Sequence, residues 1–360
     1  MIMKKKILIT TGGTGGHIFP MLGLHDYLIS NNYEVFFVSD LRAKKYLNNQ
    51  ILSKTKILNI NSPFNVKGIF KVFTMGNLLY SIIVSFFFLI KNRPHLVIGS
   101  GGYASFPILV ASILLNVKYV LYETNSIIGK TNKFFYFFCK KLLLGYDNKE
   151  FLSEKYRFKS FYVGQILRSN FLNKNYTKIN NNQKTILIMG GSQGSEFFNK
   201  VIPKIFNEIK DINLSFKIYH QCRENDLNTT KDMYNSQHEV EVFNFKNNIE
   251  EIMKKSDLAI TRSGSSSIAE MINLHLPFIA IPLPNSLDNH QFYNAKYYSD
   301  KNCCWLIRQQ DFSFESFKKL IIDIFSSSKK ELNNKIFSIK QIKEINPIKN
   351  FEKEILEYLG

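Results

Sequence analysis

Cysteine is scarce in this sequence, with four residues among 360. Cys139, Cys222, Cys303 and Cys304 show neither the spacing of a zinc site nor a disulfide framework. This pattern argues against a disulfide-stabilised secreted domain and predicts a reducing compartment. Residues 1–10 run directly into a strand-like segment and lack the apolar core and cleavage site of a secretory signal, so we expect a cytoplasmic protein.

Acidic residues are few in the first half of the chain. Residues 1–170 hold 22 lysines and arginines against 7 acidic residues, whereas residues 171–360 hold 25 against 22. A general drift of composition toward lysine would raise both halves alike. The asymmetry therefore indicates a function, and it fits nucleic acid, an anionic membrane surface or a polyphosphate ligand.

The familiar nucleotide-binding motifs are missing too. The stretch TTGGTGGHIFP, Thr10–Pro20, follows the strand-like run Ile7–Ile9, but the third glycine of a dinucleotide fingerprint falls on Ile18. No Gly-Lys-Ser/Thr follows, which excludes a Walker A loop. Four glycines before a helix still indicate a bound group, and an anionic one suits a helix N-terminus. Pro20 is predicted to lie in the first turn of that helix.

Loops of small residues recur after other predicted strands. Strand-like and helix-like segments alternate through both halves, which predicts an α/β fold with parallel sheets and crossover helices. Such sheets bind ligands at the carboxyl ends of their strands, so we expect a nucleotide or its sugar conjugate in a cleft between two facing, doubly wound domains. The further predicted strands are 35–38, 96–98, 120–122 and 185–189, and the further loops are 99–107, 190–195 and 261–267.

The chain is long enough for two cores, with 45% hydrophobic residues. We predict a first domain over residues 1–170 and a second over residues 184–346. The polar, aperiodic segment 171–183 is predicted to link them. The apolar stripe Phe351, Ile355 and Leu359 predicts a terminal helix, 347–360, that packs back on the first domain.

The most apolar stretch is LLYSIIVSFFFLI, residues 78–90. Its 13 residues fall short of the roughly 20 that a membrane span requires. Part of the segment is expected to be a buried crossover helix. Its exposed part, with Lys67, Lys71, Lys91 and Arg93 on its flanks, is expected to dip into an anionic bilayer. We therefore expect a peripheral protein at the cytoplasmic face of the inner membrane.

Five motifs in a fixed order carry a family resemblance over essentially the whole chain: GGTGGH (12–17), GGYASFP (101–107), GGSQGS (190–195), RSGSSSIAE (262–270) and DNHQFYNA (288–295). The sequence resembles the MurG family, in glycosyltransferase family 28. The resemblance implies a GT-B fold of two Rossmann-like domains. It also implies inverting transfer of GlcNAc from UDP-GlcNAc to the MurNAc C4 hydroxyl of undecaprenyl-pyrophosphoryl-MurNAc-pentapeptide. The product would be lipid II, for peptidoglycan synthesis.

The resemblance also implies substrate-binding residues. The donor would lie mainly on the second domain, where 265–270 would hold uracil, ribose and phosphates, and Gln291 the sugar hydroxyls. Glu270 is predicted near the helix start, where its charge could simply interact favourably with the helix dipole. The resemblance implies instead that it faces ribose. Family patterns HEQN and VGNPVR read YETN and VGQILR here, and His290 replaces the first glutamine of a DxQQ pattern. The full set is Thr14, Gly15, Gly16, Asn125, Arg168, Ser192, Lys246, Ser265, Ser266, Ser267, Ile268, Ala269, Glu270 and Gln291.

Hexosyl transfer needs a base for the acceptor hydroxyl, and a histidine near the cleft suits that task. His17 is the candidate, although it could instead cap the loop or polarise a donor phosphate. Glu123 is a competing carboxylate, but we predict that it holds a loop. Helix N-termini with Arg168 and Ser192 could stabilise the leaving diphosphate, so no metal and no cofactor is expected.

Alternatives remain open at this point. A UDP-GlcNAc 2-epimerase-like enzyme would share the fold and the donor site without needing a membrane face. A basic nucleic-acid module would need base-reading or stacking motifs, and none is recognisable, so no nucleic-acid partner is expected. A nicotinamide oxidoreductase conflicts with the failed fingerprint. The expected partners are the donor, the lipid-linked acceptor, an anionic membrane surface and other proteins of cell-wall synthesis.

Overall fold

The computed structural model describes residues 4–60, 68–172, 183–191, 194–209, 214–246, 248–325, 330–343 and 345–359. The chain divides into two compact units. The first unit is Met1–Ser169 with Ile345–Gly360, and the second is Asn170–Glu344. Most of the segment predicted as a linker, 173–182, lies outside the described residues.

The first unit is built on a parallel sheet of seven strands. Its order is β3-β2-β1-β4-β5-β6-β7, and every neighbouring pair is parallel. The strands are β1 (Lys6–Thr10), β2 (Glu34–Asp40), β3 (Thr55–Leu58), β4 (Leu96–Gly99), β5 (Tyr119–Glu123), β6 (Leu142–Leu144) and β7 (Ser160–Tyr162).

Helices cover both faces of this sheet, as buried parallel strands require. On one face, Ile7 and Ile9 of β1 pack with α1 and α13; on the other, Leu8 packs in a cluster with α3, α4 and α5. Alternate residues of one strand thus serve two cores. The helices are α1 (Gly15–Ser30), α2 (Asn49–Ser53), α3 (Ile69–Asn92), α4 (Phe106–Leu114), α5 (Lys130–Phe135) and, from the end of the chain, α13 (Pro347–Leu359).

The second unit repeats this design with six parallel strands in the order β10-β9-β8-β11-β12-β13. The strands are β8 (Lys184–Met189), β9 (Phe216–Gln221), β10 (Glu239–Phe243), β11 (Leu258–Thr261), β12 (Phe278–Ala280) and β13 (Cys304–Leu306). The helices are α6 (Glu196–Asn207), α7 (Leu227–Asp232), α8 (Ile249–Lys255), α9 (Ser265–Asn273), α10 (His290–Ser299), α11 (Phe314–Ile324) and α12 (Lys330–Lys340). The predicted fold, two doubly wound parallel sheets, is confirmed.

The predicted start of α1 is wrong. Thr14 has extended dihedrals (φ −95°, ψ 148°) and serves as the N-cap, so the helix begins at Gly15 and Pro20 lies inside it. Proline there cannot donate to the carbonyl four residues back. The consequence for the site is that His17 lies in the first turn of α1 and not in a loop.

The expected length of the apolar segment is also wrong. Leu78–Ile90 is the middle of α3, a helix of 24 residues. Among the described residues, this is the one helix found whose length and composition suffice to cross a membrane, over Val72–Asn92, and 22% of the tested window is buried. The length of α3 therefore does not exclude a membrane span. Lys67, expected on its flank, lies outside the described residues, as does the side chain of Lys71.

Candidate functional site

In each sheet there is one pair of neighbouring strands from which the chain continues in opposite directions, toward the two edges of the sheet. In the first unit these strands are β1 and β4, and in the second they are β8 and β11. The glycine and serine loops predicted from the sequence follow these four strands. Ligands of open α/β sheets bind at such switch points, so the candidate sites lie here.

In the first unit the two glycine loops pack against each other. Gly12 N–H donates to Gly101 O at 3.2 Å, and a Cβ on Gly102 would lie 2.8 Å from the Gly12 Cα. A Cβ on Gly13 would lie 2.2 Å from Asp40 Oδ1. Close packing therefore requires these glycines, with or without a bound ligand.

His17 is held by the second of these loops. Its Nδ1 lies 2.8 Å from the carbonyl oxygen of Ser100. A carbonyl can only accept, so Nδ1 carries the proton and Nε2 is the basic nitrogen of the neutral ring. A fixed tautomer with Nε2 as the base is what general-base chemistry requires.

The prediction that Glu123 holds a loop is confirmed. Its buried carboxylate accepts from Asn125 N at 2.9 Å, Asn125 Nδ2 at 3.1 Å, Gly129 N at 2.9 Å and Asn132 Nδ2 at 2.8 Å. Burial raises the pKa of Glu123, and these four bonds act against that rise. Asn125, which is predicted to contact the sugar-nucleotide donor, is thus positioned by the Glu123 carboxylate through two hydrogen bonds.

Arg168 lies beside α1. Its guanidinium carbon is 4.4 Å from the centroid of the Phe19 ring, two residues after His17. The segment fits because α1 has a glycine at this point: a Cβ on Gly23 would lie 2.0 Å from Leu167 O. The VGQILR variant therefore still brings its arginine to the helix that carries Thr14, Gly15 and Gly16 at its start.

In the second unit, α9 begins at the switch point. Gly264 is its N-cap and has no side chain that could accept from the first-turn N–H groups of Ser265 and Ser267. Ser263 and Ser265 are 0% and 2% exposed, and their hydroxyls have no hydrogen-bond partner among the residues that the structure describes. Buried polar groups are normally paired, so two such hydroxyls at a helix N-terminus indicate a ligand.

The other predicted residues of α9 have different environments. Ile268 and Ala269 are buried apolar side chains, which leaves their backbone as the polar part of this segment. Glu270 is the sixth of nine helical residues and is buried. Its expected place near the helix start is wrong because the helix begins at Ser265, which puts the carboxylate in the second turn.

Gln291 connects two loops of the second unit. Its Oε1 accepts from Ser263 N at 3.3 Å and from Leu283 N at 2.9 Å. Asp288 and Asn289, just before α10, both have positive φ, at 51° and 57°. This costly backbone turns the start of α10 so that Gln291 meets the loops after β11 and β12.

Two predicted residues stand apart from this group. Lys246 follows the edge strand β10, forms an ion pair with Glu241, and lies 5.1 Å from the Phe243 ring centroid. Strands β8 and β9 separate that edge from β11, so the fold does not group Lys246 with α9. Ser192 lies outside the described residues.

Two buried charged residues at these loops were not identified from the sequence. Asp40 ends β2 and accepts from Gly13 N at 3.1 Å and from Arg42 Nη2 at 2.6 Å. Burial acts to raise the pKa of Asp40, but the bonds from Arg42 and Gly13 hold it below its usual value. Arg262 follows β11 and is 6% exposed. A charged residue that ends a buried strand, as Asp40 does, or directly follows one, as Arg262 does, was the available signal.

Comparisons with known proteins match both halves of the chain. The glycosyltransferase family 28 N-terminal domain matches residues 7–144, and the C-terminal domain matches residues 185–353. A "UDP-N-acetylglucosamine--N-acetylmuramyl-(pentapeptide) pyrophosphoryl-undecaprenol N-acetylglucosamine transferase" of Rickettsia felis is 35% identical, over 90% of this chain and 92% of the relative. The protein of the same name from Pelagibacter ubique is 33% identical, over 96% and 95%.

Solved structures agree on the fold. MurG of Acinetobacter baumannii superposes with a TM-score of 0.75 at 20% identity, over 99% of this chain and 100% of that one. The glycotransferase of kitacinnamycin has a TM-score of 0.70 at 12% identity, over 99% and 100%. The fold is thus that of GT-B glycosyltransferases, and the chain belongs to glycosyltransferase family 28, as a hexosyltransferase of the MurG family.

Proposed function

We propose that this chain transfers GlcNAc from UDP-GlcNAc to the MurNAc C4 hydroxyl of undecaprenyl-pyrophosphoryl-MurNAc-pentapeptide, which yields lipid II for peptidoglycan synthesis. The family relatives named for this reaction support the substrates. The observation that carries the proposal is the switch point of the second unit. There a helix start with glycine as its N-cap, and two buried hydroxyls without partners among the described residues, fit a nucleoside diphosphate.

The donor would bind mainly to the second unit, approximately residues 184–346. Backbone N–H groups at the start of α9 and the hydroxyls of Ser263 and Ser265 would bind its diphosphate. Glu270 and the backbone of Ile268 and Ala269 would contact ribose and uracil. Gln291 would keep its oxygen on the two loops and offer Nε2 to the sugar. Ser192, Ser266 and Ser267 complete the proposed donor set, and Lys246 is left out of it because it lies at the far edge of the sheet.

The first unit, approximately residues 1–170 with the terminal helix, would bind the acceptor and supply the base. His17 Nε2 would accept the proton of the C4 hydroxyl while that oxygen attacks the anomeric carbon. The bond from the anomeric carbon to the diphosphate oxygen breaks, UDP departs, and the anomeric configuration inverts. Thr14, Gly15, Gly16 and Asn125 would contact the sugar side of the donor, and Arg168 its diphosphate.

The direct test is transfer of labelled GlcNAc to a lipid-linked MurNAc-pentapeptide. We expect product with UDP-GlcNAc and little with UDP-glucose or UDP-galactose, because the acetamido group distinguishes these donors. Formation of UDP-ManNAc from UDP-GlcNAc alone, without transfer, would instead support an epimerase. Absence of transfer by a folded chain that binds UDP would contradict the proposed acceptor.

We also propose that the chain is peripheral at the cytoplasmic face of the inner membrane. The face of α3 opposite buried Leu78 and Leu89 is apolar and exposed, and Lys91 and Arg93 lie exposed at its end. Because α3 connects β3 and β4 of one sheet and packs on α4, a face that dips into lipid fits better than a span. The exposed apolar residues are Val72, Phe73, Met75, Leu79, Tyr80, Ile83, Phe87 and Ile90.

Vesicle flotation tests the membrane face. The double variant Leu79→Ser/Phe87→Ser should bind vesicles of equal parts phosphatidylcholine and phosphatidylglycerol at least about tenfold more weakly, because two apolar side chains no longer enter the bilayer. Phe337→Ser is the matched control, since Phe337 is 65% exposed but belongs to the second unit. Equal vesicle binding by the wild type, the double variant and Phe337→Ser would contradict the proposed membrane face. The exposed apolar face of α3 would then be assigned to contact with a protein of cell-wall synthesis.

A further inference from the structure

Arg262 is a buried cation with no acidic partner in the described part of the second unit. It is 6% exposed, and none of the ion pairs found among the described residues includes it. Burying an unpaired charge costs several kcal/mol in general. Such a feature persists when something else in the working protein compensates the charge.

Both terminal nitrogens of the guanidinium donate to neutral acceptors. Nη1 donates to Ile281 O at 3.0 Å and to Pro282 O at 3.2 Å. Nη2 donates to Ser195 Oγ at 2.9 Å and to Gln309 Oε1 at 2.8 Å. These neutral acceptors pair with the four N–H groups of the terminal nitrogens but give the positive charge no counter-charge. Burial lowers the pKa of Arg262 to about 10, so the group stays protonated at neutral pH.

The same bonds connect the loops around the switch point. Ser195 is the N-cap of α6, and its Oγ accepts from Phe198 N as well as from Arg262. Ile281 and Pro282 follow β12, and Arg262 N donates to Met189 O at the end of β8 at 3.1 Å. One side chain thus joins the segments after β8, β11 and β12 with Gln309. The next residue along the chain is Ser263, whose buried hydroxyl has no hydrogen-bond partner among the described residues.

We propose that Arg262 is a positioning residue for the donor diphosphate: it fixes these loops and supplies the positive charge that the bound diphosphate compensates. This inference rests on the proposed function of the second unit. It predicts that the charge of Arg262 acts on the diphosphate and not on the nucleoside. A residue that only held loops together would affect every ligand of the site alike.

The experiment compares UDP with uridine as ligands of the full chain by titration calorimetry. Arg262→Gln should weaken UDP binding on the order of tenfold, because a favourable charge–charge interaction is lost. Uridine binding should change by less than about threefold, since uridine carries no charge. Arg262→Lys keeps the charge and should retain most of the preference for UDP over uridine. Lys204→Gln removes an exposed charge from the same unit and serves as the control.

The outcomes separate the inference from the function on which it rests. A wild-type chain that binds neither ligand would overturn both. If the wild type binds UDP and Arg262→Gln weakens UDP and uridine equally, or weakens neither, Arg262 is merely structural and the donor site stands. If Arg262→Gln does not fold, Arg262→Lys decides: a lost preference for UDP would overturn the inference, and a retained one would support it.

Discussion

The two units bury charges of opposite sign at the carboxyl ends of their sheet strands, although not at corresponding strands. At the loops of the first unit the buried charges are the carboxylates Asp40 and Glu123, each held by several N–H donors. At the switch point of the second unit it is the guanidinium of Arg262, held by neutral oxygens. Asp40 is paired with Arg42, and Glu123 accepts four N–H bonds, whereas Arg262 has no acidic partner among the described residues of its unit.

This local contrast runs against the overall charge. Residues 1–170 carry the large basic excess, yet the charged residues buried at their loops, Asp40 and Glu123, are acidic. Residues 171–360 are nearly balanced in charge, yet they bury the cation of Arg262. Net charge therefore indicates which surface meets an anionic membrane, whereas one desolvated group indicates where a diphosphate binds. We therefore expect that substitutions can impair membrane binding without impairing diphosphate binding, and the reverse.

The largest effect should come from His17→Asn. Asparagine can still donate to Ser100 O, but it removes the basic Nε2, so kcat should fall by 10²–10⁴-fold, as for loss of a general base. UDP affinity, which we assign to the second unit, should change by less than about threefold. Steady-state transfer and UDP titration measure the two quantities. His25→Asn, two turns further along α1, is the control, and near-normal kcat in His17→Asn would remove His17 from the chemistry.

A smaller effect is expected from Glu123→Gln, on stability. The amide places a donor against N–H groups that now share a carboxylate, so the free energy of unfolding should fall by about 2 kcal/mol. Denaturation by guanidinium chloride, followed by circular dichroism, measures it. Exposed Glu154→Gln should stay within about 0.5 kcal/mol of wild type. Equal stability of the two variants would mean that the Glu123 bonds contribute nothing net.

The smallest effect concerns pH and Asp40→Asn. The folded pKa of Asp40 is below its unfolded value, so its contribution is present above about pH 4 and is lost as pH falls through the folded pKa. Wild type should exceed the variant by about 1 kcal/mol at pH 7, and this gap should close under acidic conditions. Asp147→Asn, at an exposed site of the same unit, should show no such closing gap. A gap independent of pH would assign the effect to packing against Gly13.

Much of the fold followed from local patterns. Strands 7–9, 96–98 and 185–189 were predicted within two residues of their observed bounds because buried parallel strands are continuous apolar runs. The start of α1 was not, since proline usually marks a first turn and here lies in the second. The length of α3 was not either, because its first turns are less apolar than 78–90.

The site was predictable only in part. Small-residue loops at strand ends revealed where it lies, because that placement depends on sequence order alone. The environments of Asp40 and Arg262 depend on partners 27 and 67 residues away, such as Gly13 and Ser195. No pattern in one sequence records such pairs. The same holds for Gln291, whose oxygen is used by two loops that the sequence does not connect.

The helix α13 has a consequence for biosynthesis. Ile348, Phe351 and Ile355 complete the core that Ile7 and Ile9 begin, so the first unit needs the last residues of the chain. The ribosome synthesises residues 345–359 only after the whole second unit. The first unit therefore cannot complete this core until the second has been synthesised, and part of its apolar sheet face stays uncovered until then.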